Sequence, residues 1–129
     1  MKEVGLLLVA ILLLYILFPI IIVFMIVKFA LTGNKRMLLV WFYRTSREID
    51  VFANVNCGEF FNSIFLGENG YKFGNPNETI SSVIGKNQRD NTLSLMGIIL
   101  RIMLDWIDKD HCIKSINDNV SNTHKHPQK

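Results

Sequence analysis

From Val4 to Thr32 the chain carries a single charge, Lys28, and almost no polar atoms. A helix rises about 1.5 Å per residue, so about 20 consecutive apolar residues cross a hydrocarbon layer of ~30 Å. Val4–Val27 supplies that length without a break, and Phe29-Ala30-Leu31 extends it. Pro19 is the one helix disruptor, and a spanning helix tolerates it as a kink. A hairpin turning at Pro19 would leave arms of roughly 13–15 residues, each too short to cross. No Gly, Asn or charge stands beside Pro19 to make such a turn. The run also exceeds the roughly 7–15 apolar residues of a cleaved signal peptide, and no small-x-small site closes it. The sequence predicts a transmembrane anchor over residues 1–32 that crosses once.

Charge sets the expected orientation. Lys2 and Glu3 precede the span, whereas Lys28, Lys35, Arg36, Arg44 and Arg47 come before the first acid on the far side, Glu48. Basic residues stay on the cytoplasmic side, so the expectation is an N-out, C-in protein of a bacterial inner membrane. Cys57 and Cys112 then lie in a reducing compartment, where a structural disulfide is not expected. The excess of base over acid (14 Lys and Arg against 11 Asp and Glu) misleads unless it is located. Between Glu48 and Asp118 six bases face ten acids, a net charge of −4. The positive charge belongs to the membrane flank and the tail. A nucleic-acid partner would need a basic face on the domain itself, so none is expected; the expected partners are the lipid bilayer and another protein or a second copy.

Residues 33–45 read as a basic, aromatic segment at the membrane interface. Met37–Tyr43 is too short to span, and Trp41 and Tyr43 combine an apolar ring with a polar tip suited to the headgroup level. An interfacial helical turn is the first expectation and a strand the second. Lys28, Lys35, Arg36, Trp41, Tyr43 and Arg44 form the expected interface set.

Residues 46–118 are expected to form a small helical domain, so the whole is mainly α. Ser46–Phe65 repeats apolar residues at three- and four-residue steps, with an interruption near Asn56-Cys57-Gly58. Residues 67–75, rich in glycine, predict a loop. Asn75-Pro76-Asn77-Glu78 has the form of an N-cap, a proline at the first helical position and a capping-box acid. A short helix over Thr79–Ile84 would follow, stopped by Gly85, with Lys86–Asp90 as a linker. Asn91–Ile107 predicts the longest helix of the domain. Its polar or small positions, Ser94, Gly97, Arg101, Asp105 and Asp108, make one narrow stripe, so a central core helix is the first expectation. Apposition to the membrane and an oligomer interface are the others. A final helix through Ile116 and a disordered tail over 119–129 complete the reading.

Little in the chain signals chemistry. No phosphate loop, dinucleotide fingerprint or HExxH is present, and no cofactor is expected. Asp105, Asp108, His111 and Cys112 are weak candidates for a metal site, because on an unbroken helix the first two and Cys112 share a face. Helix capping by the aspartates and a buried, inert Cys112 are the simpler account. His124 and His126 are expected to be solvated tail residues.

Gly74-Asn-Pro-Asn-Glu-Thr-Ile-Ser-Ser82, then Gly85-Lys86, Leu104-Asp-Trp-Ile107 and Asp110-His-Cys112, resembles a group of small uncharacterised tailed-phage proteins. Their pattern runs G-x-P-[DN]-E-T-[LI]-S-x-R-x-[GY]-[RK], then an apolar helix, then a D-H-C box. The resemblance covers roughly residues 55–116. This chain departs from it at Val83, where the pattern has arginine, so a role for that arginine in binding an anion does not carry over. The resemblance implies a phage or prophage origin and a fold, not a reaction, and makes Pro76, Glu78, Thr79, Ser81, Gly85, Asp105, His111 and Cys112 motif residues. Together these features lead to the expectation of a non-enzymatic phage accessory protein at the host inner membrane. It would act by protein–protein interaction or self-association, in lysis timing or superinfection exclusion. A membrane-tethered metal-dependent hydrolase using Asp108, His111 and Cys112, and a holin-like pore former, are the alternatives.

Overall fold

The computed structural model describes residues 1–120. Among these described residues six helices follow one another: α1 (Lys2–Thr32), α2 (Lys35–Asn56), α3 (Gly58–Phe65), α4 (Ile80–Arg89), α5 (Leu95–Ile107) and α6 (His111–Lys114). Among the described residues strand-like pairing is limited to one isolated bridge, Leu66 to Leu93. The chain divides into two units, Met1–Arg44 and Thr45 onward. The histidines at 124 and 126 and the expected disordered tail from 121 lie outside the described residues.

In the first unit α1 is long and apolar enough to cross a membrane. Pro19 sits inside it without ending it. Lys28, its one interior charge beyond the first turn, lies 5.8 Å from the centroid of the Phe24 ring, a cation–π contact that keeps the ammonium against the helix. Gly33 ends α1 in the left-handed conformation (φ 64°), and its N–H donates to the Phe29 carbonyl. One residue later the Asn34 carboxamide accepts from the Met37 N–H and starts α2. Residues 37–43 are therefore neither an isolated helical turn nor a strand. They belong to a 22-residue helix, because nothing between Lys35 and Asn56 breaks the backbone hydrogen-bond ladder.

In the second unit the break falls where the sequence puts it, at Cys57 between α2 and α3. Phe61, Phe65 and Phe73 pack ring to ring at centroid distances of 5.3–6.4 Å. They adjoin the buried Leu66, Val83, Ile84 and Cys112, which form the core. α3 and α5 meet closely. The Ser94 N–H and hydroxyl donate to the Phe65 and Ile64 carbonyls at 3.0 and 2.5 Å, satisfying the end of α3, while its oxygen caps α5 by accepting from the Gly97 N–H. A Cβ on Gly97 would stand 2.2 Å from the Phe65 carbonyl oxygen, so only glycine fits.

α4 lies at the centre, with every residue from Ser81 to Asn87 buried. It departs from the expected helix at both ends. Its N-cap is Thr79, whose hydroxyl accepts from the Ser82 N–H at 3.1 Å. Asn75 instead holds a turn, its carboxamide accepting from the Asn77 N–H and its carbonyl from the Glu78 N–H. Glu78 is no capping-box acid because its carboxylate is taken elsewhere: by Lys86 at 2.6 Å, the Ser82 hydroxyl at 2.9 Å and the Tyr71 hydroxyl at 2.5 Å. Gly85 does not stop the helix either. A Cβ there would lie 2.1 Å from the Cys112 carbonyl oxygen, so the glycine lets α6 press onto α4. Lys86–Asp90 is accordingly no linker, and Lys86 and Asn87 are among the most buried polar residues.

The loop between α3 and α4 is held by three asparagines from three helices. Asn62 accepts from the Phe73 N–H, Asn54 from the Gly74 N–H and Asn87 from the Tyr71 N–H. Asn54 also donates to the Asn75 and Glu78 carbonyls, and Asn87 to those of Tyr71 and Val83. Such bonds replace water for backbone groups that would otherwise be stranded in the interior.

The buried Glu78–Lys86 pair should behave as a unit. Removing one partner leaves an uncompensated interior charge, a loss of about 3–5 kcal/mol, whereas replacing both with neutral residues is near neutral. Thermal unfolding of the full chain in mild detergent should therefore show large losses for Glu78→Gln and for Lys86→Met separately. The double variant should recover most of the stability.

Candidate functional site

Of the motif residues, Glu78, Thr79, Ser81, Gly85, His111 and Cys112 lie on or against α4. At its C-terminal half, Lys86 meets Glu78, stands 4.3 Å from the centroid of the Tyr71 ring, and donates to the Val120 carbonyl at 2.5 Å. Burial and the neighbouring Glu78 carboxylate push the Tyr71 phenol well above its usual range. Every charge here is spent on another protein group, which marks the cluster as structural.

The N-terminal end brings together four elements. Asp50 of α2 accepts from the Ile80 N–H at 3.0 Å and is further hydrogen-bonded by the backbone and hydroxyl of Ser81. Burial nonetheless pushes its carboxyl above the usual carboxylate range. The His111 Nε2 lies 3.2 Å from the Ser81 hydroxyl, and its Nδ1 lies 3.2 Å from the Asp108 carboxylate. Asp108, also bound by the Lys114 ammonium, is held below its usual range chiefly by the His111 hydrogen bond.

The order Asp108–His111–Ser81 has the connectivity of an acid–base–hydroxyl relay. The surroundings oppose that use. Ser81 is buried, its hydroxyl is shared with Asp50, and the first N–H groups of α4 are taken by Asp50 and Thr79. No donor pair remains there to stabilise an oxyanion. The contacts join α6 and the end of α5 to α4.

The weak metal candidates separate. The helix stops at Asp108, and Asp110 turns the chain in the left-handed region (φ 60°), so Asp105, Asp108 and Cys112 do not share a continuous helical face. Asp105 turns to Arg101 at 3.4 Å. Among the described residues no three His, Cys, Asp or Glu side chains come together as a metal site. Cys112 is fully buried, and burial together with Asp105 pushes its thiol up to about 12. It remains a protonated, unreactive thiol.

The feature that sequence reasoning missed is the direction in which α5 faces. Gly97 is buried, Leu100 and Leu104 pack against the core, and Arg101 and Asp105 are half-buried. From Ser94 to Asp105 the stripe of polar and small residues faces inward, while Asp108 at its end is exposed. Leu95, Met96, Ile102, Met103, Trp106 and Ile107 all face outward, with Trp106 89% exposed. α5 is thus not a central core helix. Ile49, Phe52 and Val55 on α2 and Phe60 on α3 are exposed as well, while Asp50 and Asn54 point in. The signal was present in the sequence: a helix whose glycine and serine share a face with its charges puts its closest approach on that face.

In the native full chain one thiol, exposed Cys57, should react rapidly with a small maleimide at pH 8, while Cys112 should react only on denaturation. Two rapidly labelled thiols by intact mass would contradict the burial of α6 against α4. Comparison with protein-family models, with curated proteins and with solved structures gives no match to this chain.

Proposed function

We propose that the chain is a single-span, membrane-anchored interaction protein without catalytic activity, whose contact surface is the outer face of α5. The observation that carries this reading is the exposure of that face, from Leu95 at 74% to Ile107 at 79%. Soluble monomers rarely show contiguous apolar patches beyond a few hundred Å², and larger ones mark interaction sites. The basic residues Lys28, Lys35, Arg36, Arg44 and Arg47 support a cytoplasmic second unit. The resemblance of residues 74–86 and 104–112 to tailed-phage proteins supports an accessory role at the host inner membrane, of the kind that times lysis or excludes a second phage.

A photo-crosslinking phenylalanine analogue in place of Met103, irradiated in intact cells, tests the reading. Protein adducts that are lost when Ile99 and Ile102 are both changed to Glu are the expected result. Adducts to lipid alone, or none, would overturn it.

A further inference from the structure

We infer that Asp50, Ser81, His111 and Asp108 form a proton-locked joint between α2, α4 and α6, closed by one proton and opened at one of its links when that proton leaves. The joint is independent of the interaction role proposed above. It has three links: the Asp50 carboxylate to the Ser81 hydroxyl, that hydroxyl to His111 Nε2 at 3.2 Å, and His111 Nδ1 to the Asp108 carboxylate at 3.2 Å. Each link takes one hydrogen. An ionised carboxylate has none to give, while a hydroxyl and a neutral imidazole have one each, so the third link is left empty. The missing hydrogen can enter in two ways. As an imidazolium, His111 donates to Asp108 and to Ser81, and the Ser81 hydroxyl donates to Asp50. With Asp50 protonated instead, Asp50 donates to Ser81, Ser81 to Nε2, and the Nδ1–H to Asp108. The two forms interconvert by passing one proton between Nε2 and the Asp50 carboxylate through the Ser81 hydroxyl.

The surroundings favour the proton. Asp108 is held below its usual range, first by the His111 bond and then by Lys114, so it stays an acceptor. Burial, against the Ile80 and Ser81 bonds that favour the charged form, holds the Asp50 carboxyl above its usual range. A raised carboxyl adds stability that is full below its unfolded value and is lost as pH rises through its folded value, the same sign as the joint. The other charged groups on these elements are engaged elsewhere or lie in solvent. Lys114 binds the second oxygen of Asp108, Arg101 and Asp105 of α5 pair with each other, and Lys86 of α4 is taken by Glu78. Arg89 pairs with Asp90 and Asp118, and Arg47, Glu48, Lys109 and Asp110 are exposed. Cys112, next to His111, keeps its proton. The His111 side chain is 37% exposed, which gives the proton its exit.

Hydrogen–deuterium exchange of the α6 segment tests the joint, in the full chain in mild detergent. The amides of Lys114 and Ser115 bond to the Asp110 and His111 carbonyls, and their protection is the intrinsic exchange rate at each pH divided by the observed one. His124→Asn and His126→Asn are present throughout, which leaves His111 as the one imidazole of the chain's three histidines. Between about pH 5.5 and about pH 8, which bracket imidazole titration, protection should fall about tenfold, the scale of one lost bond to a charged group. Asp50→Asn places a permanent amide hydrogen where protonated Asp50 carries its own, and so completes all the links with a neutral His111. Its protection should be equal at the two pH values and match the parent at about pH 5.5. A purely structural role for Asp50 predicts lost protection at both. A parent whose protection does not change with pH would overturn the inference, as would an Asp50→Asn variant that keeps the fall or is unprotected throughout.

Discussion

The second unit is organised around a salt bridge that water does not reach. Glu78 and Lys86 are both almost fully buried, and each is a heavy liability without the other. Tyr71, Ser82 and the Val120 carbonyl take up their remaining hydrogen-bonding capacity. Because those groups come from the loop, from α4 itself and from the chain after α6, satisfying one ion pair fixes the course of three separate segments. α4 can therefore be short and polar and still sit at the centre, a position usually filled by an apolar helix.

That interior has a consequence for the surface. With Asn54, Glu78, Ser81, Ser82, Lys86 and Asn87 inside, only a small apolar cluster around Phe61, Phe65, Phe73, Val83 and Ile84 remains to be buried. α5 spends its glycine, Leu100 and Leu104 on that cluster and leaves the rest of its apolar surface outside. The exposed face of α5 is the surface on which the proposed interaction rests.

Much of this was legible from the chain and some was not, for reasons that lie in particular residues. The apolar run of α1, the break at Cys57, the loop at 67–75 and the existence of α5 follow from local pattern, which is set within a few residues. Thr79 displaced Asn75 as the cap because Glu78 was drawn to a lysine eight positions later, and pairing at that distance leaves no local mark. Gly85 read as a terminator because the carbonyl that needs its missing side chain belongs to Cys112, a residue on another helix. The contact of Ser81 with His111 joins positions 30 apart and was invisible for the same reason. Apolar periodicity alone does not say whether the wide face of α5 is interior or surface; Gly97 and Ser94 mark the side of closest approach.

The orientation of α5 is the point on which both the packing and the proposed role turn. It is most directly tested by comparing Leu104→Ala with Trp106→Ala in the full chain, by thermal unfolding in mild detergent at a concentration where the protein is monomeric. An inward Leu104 should cost about 2 kcal/mol or more when truncated, while an exposed Trp106 should change stability by no more than about 0.5 kcal/mol. A loss of roughly 3–5 kcal/mol at Trp106, the value for a buried aromatic, with Leu104→Ala silent, would mean that α5 packs by its apolar face after all.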